Sequence, residues 1–436
     1  MLRLALATFF AAATALPGLA AAQDLAQLEA AARADRRDAD AQVAYGHALL
    51  RAARYRDAYR VLHDAARLRG NTLEAHFDAA RAAFAEGDYR RSRAACQQLE
   101  RRGRQETLTK VCRARAFLVW NRAGRAFEEL EAALAQDPNA FEVQLALGDA
   151  HRLRASTSES EAAYQAAIRL DGSRYEAQFG LGLLYANARR EADALRAFEA
   201  AYRLEPNDPA LLFELGTRKE GAEAQRLLTR AVGFRPDMVR AHEALGDLAL
   251  AANEDAAATA SYEAALAASD ESAPAHYGLG VVDYRAGRIE EARTKLERAI
   301  ELVPNFLEAV LLLGQIQEQT GQTDEAYESY RLASNIDLQN PAGRLHGARL
   351  AISEGRATKA IGLLDPVIQR QPNLGAALAL YGDAWRIRRN REEAIRYYER
   401  ALSQGTGDFD RQATQRSLDE VRNQTGPRRL QRATVR

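Results

Sequence analysis

Small and large apolar residues recur along this chain on one fixed step. Gly148, Gly182 and Gly216 lie 34 residues apart, and Gly246, Gly280 and Gly314 carry the same step, continued by Ala348 and Gly382. Going backwards from Gly148, the step lands on Ala114, Ala80 and Gly46. Only the interval from Gly216 to Gly246 departs, at 30 residues. Twelve residues after each small residue stands another, as at Ala58, Ser92, Ala126, Ser160, Ala194 and Ala326. Four further on comes a large apolar residue or its stand-in: Leu62, Cys96, Leu130, Tyr164, Phe198, Tyr262, Leu296, Tyr330, Leu364 and Tyr398. Spacings of three and four place side chains on one face of a helix. Each unit therefore predicts two amphipathic helices packed antiparallel. Pro138, Pro206, Pro236, Pro304 and Pro372 end the second helix, because proline supplies no N–H and clashes with the preceding turn.

The lattice predicts eleven units over residues 39–406. The sixth is short by four residues in GTRKEGAEA, so its first helix or its turn loses about one helical turn. Glycine costs a helix interior about 1 kcal/mol relative to alanine. Gly182 is therefore expected where the two helices of a unit cross, with Ala194 as its counterpart. Gly180 has no place on the lattice, although Ala44, Ala146 and Gly278 make the same position small elsewhere.

The flanks differ from the array. Residues 1–22 have a basic start at Arg3, an uncharged run from Leu4 and a small-residue end, with Pro17 and Gly18 between. That pattern predicts a secretory signal peptide cleaved near Ala22, with an uncleaved N-terminal membrane anchor as the alternative. Residues 23–38 predict a lone helix, 407–424 a polar capping helix of the kind a repeat array needs, and 425–436 a basic disordered tail.

The units resemble the tetratricopeptide repeat, whose 34-residue pattern runs W-x2-L-G-x2-Y, then A-x3-F, then P. Leu181, Gly182 and Tyr185 fit its first part, Ala194 and Phe198 its second, and Pro206 its third. The resemblance covers about 85% of the chain, and it implies an all-α, right-handed superhelical solenoid of antiparallel helix pairs. It also implies that positions 2, 5, 9 and 12 of each first helix face a concave groove. Position 5 is then apolar almost throughout, with Phe77, Phe179, Phe213 and Tyr277; position 12 adds Phe84 and Tyr284, and position 9 adds Arg81 and Arg115. Such a row suits an apolar peptide or protein segment. The alternative is that these side chains pack on neighbouring repeats. The Lys, Asn and Arg set with which some family members grip chaperone tails is missing.

Composition narrows the function. Lys+Arg and Asp+Glu are both 60, for a formal net charge of zero, which argues against a nucleic-acid binder. Charge is uneven locally. Eleven Arg or Lys residues but only two acids lie between Arg90 and Arg125, and Arg90, Arg91, Arg93, Arg101, Arg102 and Arg104 form a candidate basic patch for an envelope membrane protein or anionic polymer. A solvated convex face is the plain alternative. Cys96 and Cys112 stand symmetrically about an interhelix turn, so they either pair as a disulfide or remain two buried thiols. No catalytic constellation, cofactor motif or metal-ligand spacing recurs: the G-x-G at Gly180–Gly182 follows no strand. The sequence reads as a non-enzymatic interaction scaffold exported to the periplasm of a bacterial envelope. An accessory of polysaccharide secretion or outer-membrane assembly and a peptide-sensing regulator are the alternatives.

Overall fold

A computed structural model describes residues 17–52, 54–68, 73–102 and 106–423. Residues 1–16 of the expected leader, Arg104 and the expected tail lie outside the described residues. Among the described residues there are helices and no strands, with one isolated bridge between Leu374 and Thr406. The chain forms two compact units, 1–257 and 258–436.

Unit 1 opens with α1 (Pro17–Ala34). Six helix pairs follow: α2 (Ala39–Arg51) with α3 (Tyr55–Ala65), α4 (Leu73–Ala85) with α5 (Tyr89–Arg102), α6 (Glu106–Val119) with α7 (Ala123–Gln136), α8 (Phe141–Leu153) with α9 (Thr157–Leu170), α10 (Tyr175–Asn187) with α11 (Glu191–Leu204), and α12 (Pro209–Gly216) with α13 (Gly221–Phe234). The seventh pair is α14 (Val239–Ala251) with α15 (Asp255–Ala268), whose first turn carries the boundary of the units. Unit 2 continues with α16 (Ala273–Arg285) and α17 (Ile289–Leu302), α18 (Leu307–Gln319) and α19 (Thr323–Ile336), α20 (Ala342–Ser353) and α21 (Ala357–Arg370), and α22 (Gly375–Ile387) and α23 (Arg391–Gln404), closed by α24 (Arg411–Asn423). Helix α1 starts at Pro17 and not at residue 23, since a first-turn proline loses no hydrogen bond the helix would make. The sixth pair is shortened in α12, eight residues against the thirteen of α10.

The lattice glycines make room for the large residue of the second helix: a ring at Gly148, Gly182, Gly314 and Gly382, and a leucine at Gly46, Gly216 and Gly280. A Cβ on Gly182 would lie 2.4 Å from the Phe198 ring, and one on Gly148 would lie 2.5 Å from Tyr164. Phe198, four residues beyond the expected counterpart Ala194, fills the space the missing Cβ leaves. Where the lattice has alanine instead (Ala80, Ala114, Ala348), its partner is Cys96, Leu130 or Leu364, never an aromatic ring. Gly180 has the same explanation across a repeat boundary, since its Cβ would meet Tyr164 of the preceding pair at 2.5 Å.

The turn between the two helices of a pair needs a left-handed residue. Gly87, Gly287, Gly321 and Gly355 supply it with φ of 71–77°, as do Asn121, Ala155, Arg189, Asn253 and Arg389 with φ of 54–60°. Cys96 of α5 and Cys112 of α6 are joined as a disulfide with a Cα–Cα distance of 5.6 Å.

Candidate functional site

The inner face of unit 1 carries the largest concavity described. Helix α1 packs against α13, so the first six repeats bend round until the N-terminal helix meets the sixth pair. Inside this turn lies a chamber of about 990 Å³. Phe77, Arg81, Phe84, Arg115 and Phe179 all line it. Phe213 does not; it is buried with Arg240 over its ring. Tyr277 and Tyr284 belong to unit 2, where Tyr277 packs on Phe306 and the Tyr284 hydroxyl accepts a hydrogen bond from Gln319 Nε2 at 2.5 Å. Unit 2 has its own inner cavity of about 550 Å³, with Leu345, Arg349 and Ala379 in its wall.

The chamber wall differs from the nearly apolar row expected there. Phe77 is buried at 5% exposure, so much of that row packs between repeats. What faces the chamber is a chain of alternating charge. His47 Nε2 lies 2.8 Å from Asp78 Oδ2, and Arg81 Nη1 donates to Asp78 Oδ1 at 3.1 Å. Arg81 Nη2 reaches Glu176 Oε1 at 3.2 Å, bridging residues 95 apart in sequence. Arg174 donates to Glu176 at 3.0 Å and to Glu142 Oε1 at 2.7 Å. Arg115 Nη2 ends the chain, 3.6 Å from Glu142 Oε2. Buried ions are costly unless paired, and here Glu176 is shared by Arg81 and Arg174, and Glu142 by Arg174 and, at 3.6 Å, Arg115. Burial would raise the pKa of Asp78, but the His47 hydrogen bond and the Arg81 charge outweigh it and hold the carboxyl below its ordinary value. Glu176 is lowered in the same way against burial, by Arg174 and Arg81.

The two ends of the wall are unbalanced. Arg115 is 5% exposed, its guanidinium stands over the Phe77 and Phe84 rings at 5.8 and 6.0 Å, and its Nε and Nη1 have no hydrogen-bond partner. At the other end, Asp208 is 8% exposed, accepts from Tyr175 Oη at 3.1 Å and from the Leu211 N–H at 2.8 Å, and caps α12. Burial first, and the neighbouring Glu205 carboxylate with it, push its pKa up. Tyr55, from the first repeat, is raised by burial and then by Asp208, which places the first and sixth repeats across one chamber.

Glu142, Glu176, Arg174 and Asp208 were not among the sequence candidates. The signal was present: Glu142 and Glu176 occupy position 2 of their first helices, and Arg174 and Asp208 each sit at the residue preceding one. The basic patch resolves into separate roles. Arg90, Arg93 and Arg101 are exposed on α5, where Arg102 also lies, whereas Arg91 pairs with Glu86 and Asp88 at 3.3 and 3.5 Å. Nearby, Trp120 is 46% exposed, stacked on Tyr89 at 4.7 Å with Arg122 over its ring. Among the described residues no group of His, Cys, Asp or Glu could hold a metal, and no helix is long and apolar enough to cross a membrane.

Comparison with known proteins finds similar sequences and structures. The chain is 30% identical over 212 residues to cellulose synthase operon protein C of Xanthomonas axonopodis pv. citri, covering 47% of this chain and 13% of that protein. It is 24% identical over 181 residues to anaphase-promoting complex subunit 3 of Schizosaccharomyces pombe, covering 42% of this chain and 27% of that one. The chain thus spans less than a third of the length of the curated relatives it matches. Among solved structures, yeast Tom70 aligns at 13% identity with a TM-score of 0.42 over 88% of this chain and 95% of its own. A tetratricopeptide repeat protein from Parabacteroides merdae aligns at 19% identity with a TM-score of 0.43 over 57% of this chain and 99% of its own. The family model of the tetratricopeptide repeat matches residues 156–209, 218–274, 277–337 and 346–409, more than half of the chain. With the repeat lattice, the helix pairs and this match in agreement, the chain belongs to the tetratricopeptide repeat family.

Proposed function

We propose that this protein is a non-catalytic interaction scaffold of the bacterial envelope, and that a segment of a partner protein docks on its inner helix faces. The observation that carries the reading is the unit 1 chamber, where half-buried Phe84 and Phe179 flank polar groups already aimed inward. Concave surfaces of this kind are where helical repeat proteins bind. Export rests on the pattern of residues 1–22, and fractionation of cells producing the full chain tests it: protein retained in the cytoplasm removes the envelope from the proposal. Docking is tested by photocrosslinking from Phe84, Phe179 and Tyr284. Adducts with one protein support it, whereas adducts arising only from Arg90, Arg93 or Arg101 on the convex side overturn it.

A second reading, an accessory of polysaccharide secretion, is favoured by the two cellulose synthase operon relatives, 30% and 29% identical to this chain. It predicts co-purification with a synthase or an outer-membrane pore and loss of polymer export on deletion. Unchanged export sets it aside.

A further inference from the structure

One edge of unit 1 carries large apolar side chains that the repeat does not call for. Trp120 follows directly on α6, in the turn to α7, and is 46% exposed. Other repeats have Ala52, Arg154, Ala188, Thr320 or Glu354 at that position, so helix packing needs no indole there. Leu153 ends α8, at the next turn of the same kind, and is 57% exposed. Most other repeats have alanine or a polar residue in its place, as at Ala85, Asn187 and Arg285. The two turns are neighbours, because α6 packs on α8. Rings join them into one strip. Tyr89, at the start of α5, stacks on Trp120 at 4.7 Å, and Phe127 of α7 meets His151 of α8 at 4.8 Å. A single exposed apolar residue needs no explanation, but an adjoining set of them marks an interaction surface.

The same strip holds cations without a counter-ion. Arg122 stands over the Trp120 ring at 5.0 Å, Arg125 over Phe117 at 5.9 Å and Arg154 over Phe127 at 5.1 Å. These three, with Arg90 and Arg93 in the first two turns of α5, are exposed and form no ion pair among the described residues. Several nearby acids are already taken: Glu86 and Asp88 by Arg91, Glu129 by Arg113 and Glu161 by Arg190. In the first two turns of α7 and α9 that leaves the exposed Glu128 and Glu159, so five arginines outnumber two carboxylates. This mixture selects among partners. An anionic polysaccharide would engage the arginines and leave Leu153 in water. An acidic protein would have to bring a pocket for each protruding side chain. The surface of an anionic bilayer meets both needs at once. Tryptophan settles at headgroup level, leucine reaches the acyl boundary, and arginine keeps its guanidinium at the phosphates while its stem lies along apolar neighbours. Adjacent turns also lie along a line, which a flat surface touches together.

We propose that the turn edge of unit 1 around Trp120 and Leu153 docks on the surface of an anionic lipid bilayer. Trp120 and Leu153 enter the interface, and Arg122, Arg125 and Arg154 hold the phosphates. The inference goes beyond the inner-face reading and does not rest on it.

The test reads Trp120 itself. The chain has two tryptophans, Trp120 and Trp385, so the full chain carrying Trp385→Phe has one indole, at the edge. Should that variant fail to fold, the difference between the natural chain and Trp120→Phe gives the same signal. The protein is mixed with vesicles of phosphatidylcholine, with and without phosphatidylglycerol, whose acyl chains are plain or brominated. The apolar run of residues 1–22 can carry the chain to a vesicle on its own, so quenching of Trp120, not co-sedimentation, is the readout. Brominated chains are expected to quench Trp120 when phosphatidylglycerol is present, and salt to reverse it. Arg122→Gln and Arg154→Gln should each raise the lipid concentration for half-quenching by roughly fivefold, the attraction of about one cation. Leu153→Ser should raise it by roughly tenfold. Arg226→Gln, an exposed arginine of α13, should leave it unchanged. Absence of quenching by anionic vesicles overturns the proposal, and so does equal quenching without phosphatidylglycerol. A response of Trp120 to soluble polygalacturonate, with brominated chains silent, overturns it in favour of an anionic polymer.

Discussion

Gly182→Ala is the sharpest test of how the repeats pack. The new Cβ would sit 2.4 Å from Cδ1 and Cε1 of Phe198, a ring with no exposed surface in the core of unit 1. Carbon atoms rest at about 3.5–4.0 Å, so ring or helix must retreat by about 1 Å. Overpacking of this kind costs about 1–3 kcal/mol, and the gain in helix propensity returns about 1 kcal/mol. A net loss of up to about 2 kcal/mol follows, or up to roughly 8 °C in the melting of a unit of this size. Gly362→Ala supplies the opposite sign. Gly362 is exposed within α21 and has nothing within 4 Å of its Cβ direction, so the same substitution there should stabilise unit 2 by about 0.5–1 kcal/mol. The double variant Gly182→Ala/Phe198→Leu recreates the Ala–Leu pairs at Ala114 with Leu130 and Ala348 with Leu364. It should be coupled by about 1 kcal/mol or more in a double-mutant cycle followed by circular dichroism. Additive effects, or a stabilised Gly182→Ala, would refute the ring-insertion account.

Three further outcomes follow from the same geometry. Ala155→Gly, at φ of 57° in an exposed turn, should raise stability by about 0.5–1 kcal/mol, since a left-handed backbone costs an alanine about 1–2 kcal/mol and glycine's extra freedom in the unfolded chain takes back part of the gain; chemical denaturation reads it. Cys96 and Cys112 are 16 residues apart, so reduction, or the double alanine variant, should cost about 3 kcal/mol, visible as an earlier melt of unit 1 only. Acid should loosen the chamber. The Asp78 and Glu176 carboxyls are held below their ordinary range in the folded protein, so below about pH 4.5 the unfolded chain takes up protons that the folded chain does not. Their contribution is full above that range and is lost as pH falls through the folded values. Asp78→Asn should flatten the pH dependence of unit 1 melting in that window, and an unchanged slope would contradict the pairing.

The fold was legible because its signal is repeated. A small residue with a large one sixteen positions later, recurring from Gly46 with Leu62 to Gly382 with Tyr398, leaves few architectures open. The mechanism of the small residue was less legible. A crossing of two backbones and a ring seated over a missing Cβ ask for the same glycine, and only the contact of Gly182 with Phe198 separates them. Of the chamber, the sequence showed Phe77, Arg81, Phe84, Arg115 and Phe179 by their lattice positions. It could not show that Arg81 meets Glu176, because that contact depends on how far four repeats bend. Curvature is the sum of small rotations at each interface, and no single unit encodes it.

That curvature also decides what the inner charges do. Laid along a straight array, Arg81, Arg174, Glu142 and Glu176 would be solvated ions worth little. Bent into the chamber they fall within hydrogen-bonding distance, 2.7–3.2 Å, with Glu176 held by Arg81 and Arg174 and Arg174 bridging Glu176 to Glu142. A chain of this kind is compensated everywhere except near its margins, and the margin is where a ligand gains most from binding. Arg115 has Glu142 on one side and ring faces on the other, and Asp208 has only hydroxyl and backbone donors. The interior links are therefore expected to set stability and the margins to set recognition. Glu176→Gln should lower the melting of unit 1 while leaving crosslinking from Phe84 and Phe179 in place, and Arg115→Met should do the reverse. If the two variants change stability and crosslinking in the same proportion, the division between link and margin is wrong.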